Sequence, residues 1–311
     1  MHAIPILFEN DDIIIVNKPS GIGMHNAADS HRFKSPTNEN TASRSTSSAA
    51  LENRDPESLG EEDWGSEGWS TEDWGSENWG IVTMLKAQLN RTELYLCHRL
   101  DTGTSGCLCL AKSPQAAAEV GELFTSRQVV KFYLALSQHK PKKKQGSIIG
   151  DMKNRRGGQR ILLKSTEKPA ITQFFSHAAK PGTRGFVVKP YSGQTHQIRV
   201  ALKSVGAPIL GDELYGGASA DRLHLHAWQL HLPFSTGTIV VTAEVHDGEG
   251  FTHNLVKQWL SSLPEPTRYQ WPTIPTRYTT MREYDDINST KDMQLHKSKR
   301  GTFNENGETS Q

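Results

Sequence analysis

The sequence predicts an α+β domain, and three features point there. Short apolar, β-branched runs of strand length recur at residues 13–16, 107–111, 129–136 and 238–245. Amphipathic helical stripes are fewer and stand apart from one another. Strands and helices do not alternate as they do in a βαβ nucleotide fold, and the glycines from Gly103 to Gly106 lack the Gly-Lys-Ser/Thr of a phosphate loop.

Residues 6–16 read as a hairpin, an apolar run and a β-branched run separated by Asn10-Asp11-Asp12, and Asn17-Lys18-Pro19-Ser20-Gly21 stops the second strand. From 27 to 80 the chain turns to Ser, Thr, Asn, Asp, Glu and Gly, with 12 acidic and 4 basic side chains and four of the seven tryptophans. A near-repeat runs from Asp63 to Trp69 and from Asp73 to Trp79, too short and polar for a solenoid. This segment buries too little to offset its ordering entropy and is expected to be a disordered surface insertion; a docking motif or an acidic mimic of RNA is the alternative.

Folded sequence resumes at Ile81, with a helix over 84–89, the short apolar run Leu94, Tyr95, Leu96, and a strand over 107–111. Ser113-Pro114 starts a helix whose inward stripe is Ala117, Val120, Leu123 and Phe124. The strand over 129–136 sets Lys131, Tyr133 and Ala135 on one face, opposite Val130, Phe132 and Leu134. A basic loop follows at 139–144, then strands at 161–164, 170–177 and 185–189, a helix from Thr195 as N-cap to Gly206 as stop, strands at 223–232 and 238–245, and a helix at 253–260. Beyond Pro264 the polar chain has no apolar periodicity. The expected organisation is one folded domain from 1–26 and 81–263, an insertion at 27–80 and a disordered tail at 264–311.

No stretch approaches the roughly 18 apolar residues of a membrane span, and residues 1–8 lack the features of a secretory leader, so a cytoplasmic protein is expected. The three cysteines, Cys97, Cys107 and Cys109, read as reduced thiols and are too few for a zinc site. His224, His226 and His231 have no acidic or thiol neighbour to complete a metal set, so no metal is expected. The net charge of +1 hides an asymmetry: outside the insertion the chain carries 31 basic and 22 acidic side chains, the balance of a protein that binds a polyanion.

Two segments carry chemistry. In the first, His98-Arg99-Leu100-Asp101, a carboxylate sits just beyond an apolar run at the mouth of a Gly-rich turn, where it either caps the turn or is held rigidly for reaction. The second runs from Tyr191 to Val200; on its helix Ile198, Ala201, Leu202 and Val205 form a buried stripe, while His196, Arg199 and Lys203 share the other face. That face is either solvated or built to hold a carboxylate or phosphate, for which an arginine is the best-suited residue.

Taken together the chain resembles the RluA-type pseudouridine synthases over residues 4–26 and 81–262. The matching motifs are Asn17-Lys18-Pro19-Ser20-Gly21, His98-Arg99-Leu100-Asp101, Lys131-Phe132-Tyr133-Leu134-Ala135, Gly193 to Arg199, Pro208 to Asp212 with Tyr215-Gly216, and Leu225-His226-Ala227, in the family's order. The insertion, the tail and Gln194, where the family usually has Arg or Lys, depart from its pattern. The resemblance implies a mixed, largely antiparallel central sheet with flanking helices and a cleft across it. It implies isomerisation of uridine in RNA to pseudouridine, without cofactor or metal, by a monomer acting on a ribosomal or transfer RNA stem-loop. Asp101 then matches the catalytic aspartate, as nucleophile or base, Arg199 its arginine partner, and Tyr133 the ring that stacks on uracil. Arg99 fills the gap left by a flipped base or contacts a phosphate, and Lys18, Lys112, Lys131, His196 and Gln197 are further candidates for RNA contact. A non-catalytic RNA-binding or assembly protein on the same scaffold is the alternative.

Overall fold

The computed structural model describes residues 3–26 and 79–278, over which the chain forms one large sheet, a small two-stranded sheet and five α-helices. The first hairpin is β1 (Ile6–Glu9) and β2 (Ile13–Lys18), turned by the Asn10 side chain, whose oxygen accepts from the backbone N–H groups of Asp12 and Ile13. Then come α1 (Ile81–Gln88), β3 (Tyr95–Leu96), β4 (Ser105–Ala111) and α2 (Pro114–Thr125), where Ser113 caps the helix by accepting from Ala116 N. The middle of the chain gives β5 (Val130–Ser137), β6 (Gln145–Gly150), β7 (Met152–Asn154), β8 (Arg160–Leu162), β9 (Ala170–Lys180) and β10 (Thr183–Pro190). It closes with α3 (Gln197–Ser204), β11 (Leu225–Phe234), β12 (Gly237–Thr242), α4 (Glu249–Thr252) and α5 (Asn254–Ser261).

The main sheet runs β1-β2-β4-β11-β5-β10-β9-β6, with β3 on β4 and β12 on β11, and is antiparallel except between β4 and β11. At that parallel junction Gly106 has φ +109° and a β-carbon there would lie 2.2 Å from Ala227 O, so only glycine lets the two strands meet. Period-two alternation divides the core. Ile14, Val16, Leu108, Leu110, Tyr133 and Ala135 face the layer that holds Leu85 of α1 and Ile198, Ala201 and Leu202 of α3. On the other face Ile13, Ile15, Cys107 and Cys109 pack with Val120 of α2, and Leu134 and Leu136 with Phe251, Val256 and Trp259 near the C-terminal helices.

Three expectations need correction. The helix after Tyr191 starts one residue later than the Thr195 cap implies: His196 takes the N-cap position in the left-handed region at φ +59°, without a capping side chain. The basic loop is followed by β6, a strand that residues 145–150 barely signal because their aliphatics are the adjacent Ile148 and Ile149. Residues 264–278, expected in the tail, pack on the sheet: Tyr269 and Trp271 lie 4.7 and 5.0 Å from Phe175, Trp271 also stacks on Phe132, and Trp271 Nε1 donates to Pro266 O. Except for Trp79 and Gly80, the expected insertion lies outside the described residues, as does the chain after 278. The chain on either side of the insertion is joined: Asn26 Oδ1 accepts from Gly80 N and from Thr83 Oγ1, both at 2.9 Å. Among the described residues no helix is long and apolar enough to cross a membrane.

Candidate active site

A cleft of about 370 Å³, the size of a small-molecule site, opens between the loop from Cys97 to Thr104, strand β5 and the start of α3. Asp101 does not end a strand, since β3 stops at Leu96; it sits in the loop that leads into β4. That loop is nevertheless pinned on both sides. Asp101 O accepts from Thr104 N at 2.9 Å, Thr102 O from Gly21 N at 2.9 Å, and Gly103 O from Ser20 Oγ at 2.7 Å. Upstream, His98 stacks on Phe124, and its Nε2 accepts from Cys109 N at 3.0 Å; burial, then the Lys131 charge, push its pKa down to about 3 and keep it neutral.

Lys18 helps to hold the same loop. It is fully buried, and its ammonium donates to Pro19 O, Ile22 O and Thr102 O at 2.7, 2.9 and 3.2 Å. Burial, then the Arg222 charge, pull its pKa to about 7. The expected contact of Lys18 with an RNA phosphate is therefore corrected: all three donors are spent on backbone carbonyls.

Arg199, on the first turn of α3, meets two carboxylates. Its Nε and Nη2 donate to the two oxygens of Asp212, each at 2.8 Å, and its Nη1 lies 3.5 Å from Asp101 Oδ2. Burial alone would lower the Arg199 pKa; the hydrogen bonds and charge of Asp212, then the charge of Asp101, outweigh it and raise the value. Asp212 reaches Arg199 because Gly211 turns the chain at φ +81°, where a β-carbon would sit 1.8 Å from Arg222 O.

His196, Arg199 and Lys203 do share a face, but it is not simply solvated, since all three surround Tyr215. The guanidinium and ammonium lie 5.0 and 5.4 Å from its ring centroid, and His196 Nδ1 lies 2.9 Å from its hydroxyl. That hydroxyl also accepts from Arg160 N at 2.8 Å, so Tyr215 ties the His196 ring to the start of β8. Burial lowers the His196 pKa, which favours the neutral ring.

Tyr133 is buried on β5 and lines the cleft; burial first, then the charges of Asp101 and Cys107, raise its pKa well above the ordinary phenol value, so it stays protonated. Lys131 also lines the cleft, its ammonium 5.7 Å over the Phe124 ring, with its pKa lowered to about 8 by burial and then by Arg127. Arg99 is exposed at the cleft wall. The structure thus brings Asp101, Tyr133, Arg199, Arg99, Lys131 and His196 to one hollow.

Two further expected RNA contacts are corrected. Gln197 borders the cleft, but its amide donates to Ile171 O and Thr172 Oγ1 and accepts from Ser192 Oγ and Gln194 N, so it braces the loop before α3. Lys112 lies away from the cleft: β2–β4 pairing sets it beside the first hairpin turn, where it binds Glu9 and Asn10 O. Asp212 and Tyr215 belong to the matching motifs, yet sequence alone assigns them no role, because nothing local shows which side chain their turn meets. His224 and His226 spend both ring nitrogens on protein partners and His231 pairs with Gln229; among the described residues no cluster of three His, Cys, Asp or Glu is arranged to hold a metal.

The architecture is that of the pseudouridylate synthases. The solved structure of human RNA pseudouridylate synthase domain containing 1 aligns with a TM-score of 0.54 at 21% identity, covering 85% of this chain and 96% of that one. The sequence identifies the family: the RNA pseudouridylate synthase model matches residues 12–204, so the chain belongs to that family and isomerises uridine in RNA. An uncharacterised RNA pseudouridine synthase of Haemophilus influenzae is 47% identical over 171 residues, which is 54% of this chain and 76% of the relative. The dual-specificity RNA pseudouridine synthase RluA of Escherichia coli is 34% identical over 156 residues, 47% of this chain and 70% of that protein.

Proposed function

We propose that this enzyme acts on a uridine in a ribosomal or transfer RNA stem-loop, with Asp101 as the carboxylate that meets the sugar. The uridine is flipped out of its stack, which costs least in a loop. The N1–C1′ bond breaks, the uracil turns over, C5 bonds to C1′, and the proton lost from C5 is balanced by one gained at N1. A carboxylate suits a sugar centre that develops positive charge, whether it attacks C1′ or removes a proton. Arg199 sets its guanidinium 3.5 Å from Asp101 and aims the carboxylate; Tyr133 supplies a ring face for the uracil. Arg99, Lys131 and His196 stand where they can meet the nucleotide and its phosphates. Lys142, Lys143 and Lys144, exposed beside the C-terminal end of α3, extend the basic surface. The reaction is redox-neutral and needs no group donor, so the enzyme is proposed to work without cofactor or metal, as a monomer in the cytoplasm.

The observation that carries this reading is the meeting of Asp101, Arg199 and Tyr133 in one cleft. Tritium release from RNA labelled with [5-³H]uridine tests it. Asp101→Asn is expected to abolish release while RNA binding, measured by filter retention, survives. Full turnover by that variant would remove Asp101 from the chemistry.

A further inference from the structure

We propose that the Thr104 hydroxyl holds the flipped uracil by an exocyclic carbonyl oxygen, both before and after the base turns over. The inference rests on the assignment of Asp101 as the acting carboxylate in the same cleft. Thr104 immediately precedes β4, only 2% exposed, and its backbone N–H is spent on Asp101 O. The residue lines the cleft with Asp101, Tyr133, Ile198, Arg199 and Leu225. Its Oγ1 is buried and has no hydrogen-bond partner.

Native structures leave few buried polar atoms in that state, because the group loses its water and gains nothing in return. Three side-chain atoms are so placed among the described residues, Thr104 Oγ1, Gln173 Oε1 and Trp259 Nε1, and of these residues Thr104 is the one that lines the cleft. The neighbouring hydroxyls are satisfied. Ser105 Oγ pairs with His226 Nδ1 at 2.7 Å and accepts from Arg222 Nη2 at 2.6 Å, and Ser20 Oγ donates to Gly103 O. A fold that pairs these hydroxyls and leaves Thr104 without a partner has kept one for the molecule that fills the cleft.

The chemistry of the turn selects the partner. To bring C5 to C1′, the detached uracil must make a half-turn about the line through N3 and C6. That rotation exchanges N1 with C5 and O2 with O4, and leaves the outline of the ring unchanged. A hydroxyl in a fixed place therefore meets a carbonyl acceptor in both orientations, donating to O2 in one and O4 in the other. Ile198 and Leu225 line the same cleft with apolar side chains, and a less polar surrounding strengthens such a bond. Thr104 in this role would retain the free base during the interval when no covalent bond does.

The test uses the purified full chain, total RNA labelled with [5-³H]uridine from cells lacking the gene, and the variants Thr104→Val, Thr104→Ser and Asp101→Asn. Thr104→Val is expected to slow single-turnover tritium release roughly 10- to 100-fold, while filter binding of the same RNA changes by no more than about 2-fold and the thermal midpoint stays level or rises, since an apolar isostere removes an unpaired hydroxyl. Thr104→Ser, which keeps the donor, is expected to stay within about 3-fold of the parent rate. A Thr104→Val enzyme at the parent rate overturns the role of Thr104 and leaves Asp101 untouched. A slow Thr104→Val enzyme that also melts earlier overturns it too, by showing a structural role. Parent-rate turnover by Asp101→Asn instead overturns the assignment beneath it.

Discussion

Arg199 gives its two-point hydrogen bond to Asp212, at 2.8 Å on each oxygen, and leaves Asp101 a single contact at 3.5 Å. The division of labour follows from burial. The Asp212 side chain is wholly enclosed, while that of Asp101 remains open to the cleft. A bidentate pair fixes the plane of the guanidinium. Asp101 is then held in the field of a cation that does not occupy its lone pairs, which leaves them free for the role proposed for it.

Asp212→Asn keeps the shape of the side chain but removes the charge and turns an NH₂ group towards a donor. Breaking a buried pair by neutralising one member is costly, and we expect a loss of about 2–4 kcal/mol in urea unfolding. Single-turnover isomerisation should fall about 10- to 100-fold, because a displaced Arg199 no longer aims Asp101. Unchanged stability and rate in this variant would show that Arg199 is positioned by other contacts.

The lysines divide into one that holds the fold and several that can hold RNA. Lys18→Met leaves three backbone carbonyls without a donor, and a stability loss of about 3 kcal/mol is expected. Because Lys18 reaches no phosphate, the salt dependence of RNA binding should be unaltered in that variant. Replacing Lys142, Lys143 and Lys144 with alanine should do the reverse. Stability stays within about 0.5 kcal/mol, and the slope of log K against log salt becomes shallower by about 0.7–0.9 for each phosphate that is no longer neutralised. A changed slope in Lys18→Met would return that residue to the RNA surface.

Much of the fold was legible because alternation is a local signal. The hairpin of β1 and β2, the two faces of β5 and the Ser113-Pro114 start of α2 can each be read within a dozen residues. β6 was not legible, because an edge strand with two adjacent aliphatics shows no alternation. The cleft was half legible. Asp101, Tyr133 and Arg199 stand in ordered motifs, whereas the Asp212–Arg199 pair depends on a turn at Gly211 that only the packed chain defines. Lys18 misled for a related reason: a lysine followed by Pro and Gly looks solvated until three carbonyls from two loops close around it.

His226 makes stability depend on pH. Its Nδ1 accepts from Ser105 and its Nε2 donates to Ala243 O, so the folded protein requires the neutral ring. Burial pushes its pKa down from 6.5 to about 4. The unfolded chain takes up a proton near pH 6.5 and the folded chain only near 4. The contribution is therefore complete above pH 6.5 and is lost as pH falls through that window. At pH 4.5 the loss from this residue is about 2–3 kcal/mol relative to pH 7. Urea unfolding at both values checks this; His226→Gln, whose amide does not titrate, should flatten the difference by that amount, and an unaltered pH dependence would place the effect elsewhere.

The hydrogen bond between Asn26 and Gly80 bears on what the acidic segment does for the fold. The described chain stops at Asn26 and resumes at Trp79, which packs on the core, while Gly23 O accepts from Ile81 N at 2.9 Å. Since these ends already meet, residues 28–78 need not bridge a distance. Closing a loop of about fifty residues costs more chain entropy than closing one of about five, by about 2 kcal/mol on a (3/2)RT ln n scale. Replacing 28–78 with a short Gly-Ser linker, with Asn26 and Trp79 retained, should leave the urea midpoint unchanged or raised by up to that amount. Tritium release from labelled RNA should persist. A lowered midpoint would show that the segment contributes packing to the folded domain. A sound fold without turnover would instead assign it a part in handling the RNA.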